Sequence, residues 1–246
     1  MQFILDVHCH TIASGHASGT LDEHIKRAKE AGLQLTATSE HGPAMPDSCP
    51  ISHFGEILKL PKIINDITLL SGVEANIIDA AGNIDMPKDL LEALDFCIAS
   101  IHPTLFLPGD AKANTNAVIG AMENPLINII GHLGDHHVPI YPQDIVSAAK
   151  RTGTIIEINN KSLVPGNRRF DGGATIKEIL ALCKEYGASV IAGSDAHMAK
   201  DVGRVNHAKG FILAAHLDES LVMNTSVERF VKALKGKYYY GKSTGK

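Results

Sequence analysis

The sequence predicts an α/β fold of the TIM-barrel type: seven parallel strands, alternating with helices and closed or nearly closed into a barrel. A single domain is expected over residues 1–246. Three observations lead there. Short apolar runs alternate with helical patterns along the whole chain, which is the signature of a parallel sheet. Each run ends in residues able to do chemistry: His, Glu or Asp after six of them, and a pair of asparagines after the other. With 44% hydrophobic and 20% charged residues, the chain can fill one large core. An open sheet would string those polar ends along a line, whereas a barrel brings every strand's C-terminal end to one mouth.

The elements follow in order. Phe3–Val7 reads as strand one, and it leads into Asp6-Val7-His8-Cys9-His10-Thr11. In an extended chain, i and i+2 share a face, so His8 and His10 project together and Cys9 points away. The loop 12–19 carries His16. Thr20 to Glu23 form a capping box before a helix with Leu21, Ile25 and Ala28 on one face, ended by Gly32. Strand two spans 34–39 and ends at Glu40-His41. A proline-containing loop and a helix over 54–60 follow. Strand three, 67–73, ends at Glu74. Residues 76–85 suggest a hairpin turning at Ala81-Gly82-Asn83, and Pro87 suits position N1 of a helix running to Leu94. Strand four, 96–101, ends at His102, with a helix over 116–123 after it. Strand five, 127–130, ends at His132, with a helix over 143–152. Strand six, 154–158, ends at Asn159-Asn160, with a helix over 174–186. Strand seven, 189–192, ends at Gly193-Ser194-Asp195-Ala196-His197. Two more helices are expected over 205–215 and 227–234, and a polar tail from Lys235 is expected to fray.

Composition narrows the functional classes. A net charge of −4 leaves no basic footprint, so nucleic acid is not an expected partner. No run is apolar enough to span a bilayer, and the first strand begins without a signal-peptide pattern. Cys9, Cys49, Cys97 and Cys183 lack paired spacing, which fits a reduced cytoplasm. Thirteen histidines are the anomaly, because histidine is the commonest metal ligand.

The strand ends supply a candidate ligand set: His8, His10, His16, His41, Glu74, His102, His132, Asp195 and His197. These nitrogen and carboxylate donors, without thiolate, suit zinc, manganese or iron. Nine ligands exceed the needs of one ion. They can hold two or three, with Glu74 or Asp195 bridging. An isolated histidine at a strand end is more often a core or surface residue. That is the expectation for His24, His53, His136, His137, His207 and His216, with His136 the closest of these to the mouth. Asn160, Lys161, Arg168 and Arg204 stand on the mouth side and are the candidate substrate contacts.

The H-x-H pair, Ser39-Glu40-His41, Glu74, His102, His132 and Ser194-Asp195-Ala196-His197 together resemble the PHP (polymerase and histidinol phosphatase) family. In order and spacing they are closest to its YcdX-type bacterial phosphatases. The resemblance implies a distorted seven-stranded (β/α) barrel holding three divalent metal ions, zinc foremost, with manganese and iron as alternatives. It implies His8, His10, Glu74 and Asp195 on the first ion, Glu74, His102 and His132 on the second, and His16, His41 and His197 on the third. Asp6 matches a family position and is expected to orient an imidazole.

Such a pocket carries about three positive charges despite the acidic chain, and it prefers an anion. The expected activity is hydrolysis of a small phosphorylated substrate, a phosphomonoester first, by a hydroxide shared between two ions, with Glu74 and Asp195 catalytic through it. Two other readings stay open: a metal-dependent amidohydrolase, which also opens on H-x-H, and a non-catalytic metal-binding protein. The apolar segment 211–215 can serve a homo-oligomeric interface as easily as the core.

Overall fold

The computed structural model describes residues 1–167 and 172–234. Arg168 and the tail from Lys235 lie outside the described residues. The strands are β1 (Leu5–Asp6), β2 (Leu35–His41), β3 (Ile63–Ile64), β4 (Ile67–Asn76), β5 (Phe96–Ser100), β6 (Ile129–Ile130), β7 (Ile155–Asn159) and β8 (Val190–Gly193). Seven of them run parallel around one sheet in the order β1-β2-β4-β5-β6-β7-β8. The remaining strand, β3, pairs antiparallel with the start of β4 and was not legible in the sequence, because two residues are too short a run to show a period. The helices are α1 (Leu21–Glu30), α2 (Ser52–Ile57), α3 (Lys88–Ala93), α4 (Ala111–Glu123), α5 (Pro142–Thr152), α6 (Gly173–Tyr186), α7 (Asn206–Ala214) and α8 (Val227–Ala233).

Local chemistry sets the helix ends. The capping box of α1 is present: Glu23 accepts from the Thr20 N–H at 2.8 Å and donates its own N–H to Thr20 Oγ1 at 3.3 Å. Gly153 and Gly187 close α5 and α6 at φ 71° and 68°, a conformation a side chain rarely adopts. Strands β2 and β4 run on to His41 and Asn76, past the expected ends at 39 and 73, and three helix boundaries also differ from expectation. Pro87 is the N-cap of α3 and not N1, because its ψ of 144° is extended. Helix α4 starts earlier than 116, where Asp110 accepts from the Ala113 N–H. Helix α2 is displaced towards Ser52, its last expected residues forming the turn into β3. The hairpin after β4 is present as an antiparallel bridge between Ile77 and Ile84, turning where Asp79 accepts from the Ala81 and Asn83 N–H groups.

The barrel meets itself at β1 and β8, where the ladder is sparse. Near the mouth His10 N–H donates to Ala196 C=O at 2.8 Å, and Cys9 pairs with Ala196. Deeper in, the buried Asn224 side chain bridges the gap. Asn224 donates to the carbonyls of Leu5 (3.0 Å) and Ala192 (2.9 Å) and accepts from Ala192 N–H (2.7 Å). The interior below the mouth is apolar: Leu5, Leu35, Leu70, Phe96, Ile129, Ile155 and Ile191 pack together, and Phe230 of α8 plugs the floor. Gly72 is required there, since a Cβ would come 2.3 Å from the Phe96 ring. A larger core fills the space between the barrel and its surrounding helices.

Candidate metal centre

The alternation of inward residues explains what reaches the mouth. On β2 and β4 the apolar floor residues Leu35, Ala37 and Leu70 give way, on the same face, to His41 and Glu74. His41 is level with Glu74 across the β2–β4 ladder. At the end of β1 the alternation slips: Val7 packs into the floor, yet His8 and His10 also face inward, while Cys9 packs into an outer apolar cluster. The expected shared face of His8 and His10 is therefore present.

Glu74 is the centre of the assembly. Its Oε2 lies 2.8 Å from His41 Nδ1 and 3.4 Å from both His8 Nε2 and His10 Nε2. None of these contacts has hydrogen-bond geometry, and both Glu74 Oε2 and His41 Nδ1 are buried without a hydrogen-bond partner. Its Oε1 is 3.0 Å from His132 Nε2 and 3.5 Å from His102 Nε2, and it accepts from Ser100 Oγ. Asp195 Oδ1 approaches His8 and His10 at 3.9 and 3.6 Å. His16 and His197 face each other through Nε2 at 3.1 Å, and the His16 ring lies over that of His41, with centroids 5.1 Å apart. All nine candidate ligands thus converge on one mouth.

The donor set fits a metal. Imidazole nitrogens face one another at 3.1 Å for His8–His10 and His16–His197, and at 3.3 Å for His102–His132. Two nitrogens bound to one tetrahedral zinc at about 2.0–2.1 Å sit about 3.3 Å apart. A buried carboxylate oxygen ringed by nitrogens and lacking a hydrogen-bond donor is also what a cation satisfies. Among the described residues, four groups of donors lie within 4.8 Å of one another: His8–His10–Glu74, His41–Glu74–His102 and His10–His41–His197 at the mouth, and Asp135–His136–His137 on the more exposed loop after β6.

A sequence model of the PHP domain matches residues 6–161, more than half of the chain. The chain belongs to the PHP family. A second model, described as PHP-associated, matches residues 177–208. The chain is 44% identical over 242 residues to a probable phosphatase of Caldanaerobacter subterraneus subsp. tengcongensis, covering 96% of this chain and 93% of that protein. It is 43% identical over 241 residues to a probable phosphatase of Thermoanaerobacter sp. strain X514, covering 96% of each. Among solved structures it resembles histidinol phosphate phosphatase from Lactococcus lactis, complexed with zinc, L-histidinol and phosphate. That match has a TM-score of 0.63 at 19% identity and covers 87% of this chain and 94% of that one, which supports the PHP barrel fold.

Around the PHP centre, buried groups fix the ligands. Glu157 Oε1 is 2.6 Å from His8 Nδ1, so His8 presents Nε2 to the site, and Glu157 Oε2 accepts from the His132 N–H at 2.8 Å. Asn76 Oδ1 is 2.7 Å from His102 Nδ1, and Asn76 is itself held by Asp85. Both were missed in the sequence. The signals were a lone glutamate inside the apolar run Ile155-Ile156-Glu157-Ile158 and an asparagine two residues beyond Glu74 on the same face. Asp6 departs from expectation. It accepts from the backbone N–H groups of Ser194 (3.1 Å) and Gly203 (2.8 Å) and orients no imidazole. Glu40, also buried, accepts from Thr11 and Ser14 and so shapes the loop beyond His10.

The electrostatics follow from burial and neighbours. Burial alone would lower His8, but the Glu157, Glu74 and Asp195 carboxylates hold it well above the usual imidazole range. Burial and the adjoining His41 and His197 push His10 well below it. Burial lowers His102 and His197 to about 4, so both are neutral donors at neutral pH. Glu74 is fully buried, which would raise it, yet His8, His102 and His41 hold it well below the carboxylate range. His132 and Asp195 adopt φ of 29° and 54°, backbone strain that aims both side chains into the mouth.

The mouth opens into a cavity of about 660 Å³. Lys161 lines it, with Nζ 3.1 Å from His197 Nδ1 and 3.8 Å from Asp195 Oδ1. Asn160 is turned aside: its Oδ1 accepts from the His207 and Ala208 N–H groups and anchors α7. Arg204 pairs with Asp201 and lines an adjoining cavity that shares Lys161, Asp195 and His197. Of the remaining histidines, His24 is buried in α1 without a ring partner, as a core residue, and His216 sits at a turn with φ 52°. His137 lines the main cavity, which the sequence did not show.

Proposed function

We propose that this PHP protein is a phosphomonoesterase working with three divalent ions, zinc foremost, on a small phosphorylated substrate. Its membership of the PHP family and its probable-phosphatase relatives make it a phosphoric ester hydrolase. The observation that carries the finer reading is Glu74 Oε2, buried and bare of hydrogen-bond donors amid His8, His10 and His41. In this reading His8, His10, Glu74 and Asp195 hold one ion, Glu74, His102 and His132 a second, and His16, His41 and His197 a third. Bound ions supply Lewis-acid charge for the phosphoryl group and lower the pKa of water for attack on phosphorus.

The chain's own residues do the rest. Glu157 and Asn76 hold His8 and His102 with Nε2 inward, so both ligands are set before any ion arrives. Glu74 and Asp195, both buried, balance part of the cationic charge, and the imidazoles around Glu74 favour its ionised form. Lys161 adds a flexible ammonium at the rim, 34% exposed, where it can reach a phosphate oxygen. A cavity of about 660 Å³ admits a small ligand. The candidate contact Arg168 lies outside the described residues, and Arg204 and Asn160 belong to the adjoining cavity.

The test is hydrolysis of p-nitrophenyl phosphate by protein stripped with a chelator and then titrated with zinc, manganese or iron(II). Activity absent after stripping and restored as metal is added supports the reading. Unchanged turnover after complete stripping overturns it, as does restored metal with no turnover of any phosphomonoester.

A further inference from the structure

The loop after β6 carries a pair of side chains outside the metal centre. Asp135 Oδ1 lies 2.9 Å from His137 Nδ1 and also accepts the His137 backbone N–H at 2.9 Å. That arrangement fixes the ring and leaves Nε2 as the outward nitrogen. Both residues line the same cavity as Glu74, His102, His132 and Lys161. The Asp135 side chain is 10% exposed and the His137 side chain 50%, so the carboxylate is sheltered while the imidazole is open to a ligand. The His136 ring packs against that of His137 at a tilt of 39°, with centroids 3.8 Å apart, but does not line the cavity. A carboxylate holding one ring nitrogen so that the other can exchange a proton is an acid–base pair.

We propose that His137, oriented by Asp135, donates the proton to the leaving oxygen of the phosphoester. This rests on the phosphatase reading above. As water oxygen bonds to phosphorus, the ester P–O bond breaks and its electron pair stays on the ester oxygen. The proton on His137 Nε2 moves to that oxygen and releases the alcohol. Water's surplus proton returns to the imidazole through solvent, so the sum is ester plus water giving alcohol plus phosphate. The donor matters most for unactivated alkyl phosphates, whose alkoxide is a poor leaving group. Such esters are thereby the class this cavity is built to hydrolyse.

The experiment compares kcat/KM of fully metallated protein on β-glycerophosphate and on p-nitrophenyl phosphate, with metal content measured in each variant. For His137→Ala the expected loss is about 100-fold on the alkyl ester and only a few-fold on the aryl ester, whose phenolate leaves without help. Asp135→Asn should show the same selectivity with a smaller loss. Equal losses on both esters would overturn the proposal, because that pattern marks a structural or binding role. So would the selective loss appearing in His136→Ala, or a loss of bound metal in His137→Ala, which would make Asp135, His136 and His137 an ion site. Failure of the unmutated, metallated protein on every phosphoester would instead overturn the phosphatase reading itself.

Discussion

Glu157 sits one bond away from the chemistry, and its removal separates positioning from ligation. Glu157→Gln keeps the volume but weakens the 2.6 Å contact that orients His8. The expected result is a metal affinity about 10–100-fold lower with the fold retained, measured by metal titration and circular dichroism. Asp195→Asn should behave differently. It removes a carboxylate ligand while Asn still tolerates the φ of 54° at this position, so hydrolysis should be abolished while the fold survives. Full turnover of that variant at full metal occupancy would remove Asp195 from the proposed role. At this scale the candidate ligands were legible in the sequence because all but His16, which sits in the loop 12–19, follow an apolar run, whereas their supports were not. Glu157, Asn76 and Asp85 each look like an ordinary strand or loop residue until the ladder register brings them beside His8 and His102.

At the scale of elements, the β1–β8 seam is the weak joint of the barrel. Asn224 fills it with bonds to both strands, and the element that delivers it is a short turn of helix, Met223–Thr225. Asn224→Ala would leave Leu5 C=O and both Ala192 groups short of a buried partner. The expected cost is about 3 kcal/mol, since each unmet buried group costs about 1–3 kcal/mol. The melting temperature should fall by about 2–4 °C per kcal/mol for a chain of this length. An unchanged melting curve would show that the seam is closed by other contacts. The seven parallel strands were readable from the alternation of apolar runs and helical patterns, and their gathering into a barrel from the polar residues at the strand ends. The seam was not, because nothing in the segment 222–225 distinguishes a barrel staple from a surface turn. The two-residue β3 and the exact start of α4 were missed for a related reason: the first is too short to show a period, and the second depends on a cap at Asp110.

At the scale of the molecule, the concentration of buried and partly desolvated histidines sets how the metal-free protein responds to pH. His102 and His197 fall to about 4, and His10, His16, His24 and His53 are also lowered, in each case by burial first. Their unfolded values are about 6.5. Between those limits the unfolded chain binds protons that the folded chain does not, so stability is lost as pH falls from about 6.5 towards 4. His8 is shifted the other way. Its contribution is complete below about 6.5 and is lost as pH rises through its folded value. Asp6 and Glu40, raised by burial, oppose the acid-side trend, but two groups face six. Thermal melts of stripped protein should therefore show falling stability on acidification across this window. Bound metal should steepen that dependence, because it keeps the ligating imidazoles unprotonated in the folded state while the unfolded chain still takes up protons. A stripped protein equally stable at pH 4.5 and pH 7 would contradict the burial of these rings.

The sharpest test of the whole account is metal content per chain, measured by elemental analysis on untagged protein purified without chelator, with p-nitrophenyl phosphate turnover followed in the same preparation. Close to three divalent ions per chain, with turnover rising in step with occupancy, is the expected result. One ion or none after reconstitution, or turnover independent of occupancy, would contradict the claim that His8, His10, His16, His41, Glu74, His102, His132, Asp195 and His197 form one metal-dependent phosphatase centre.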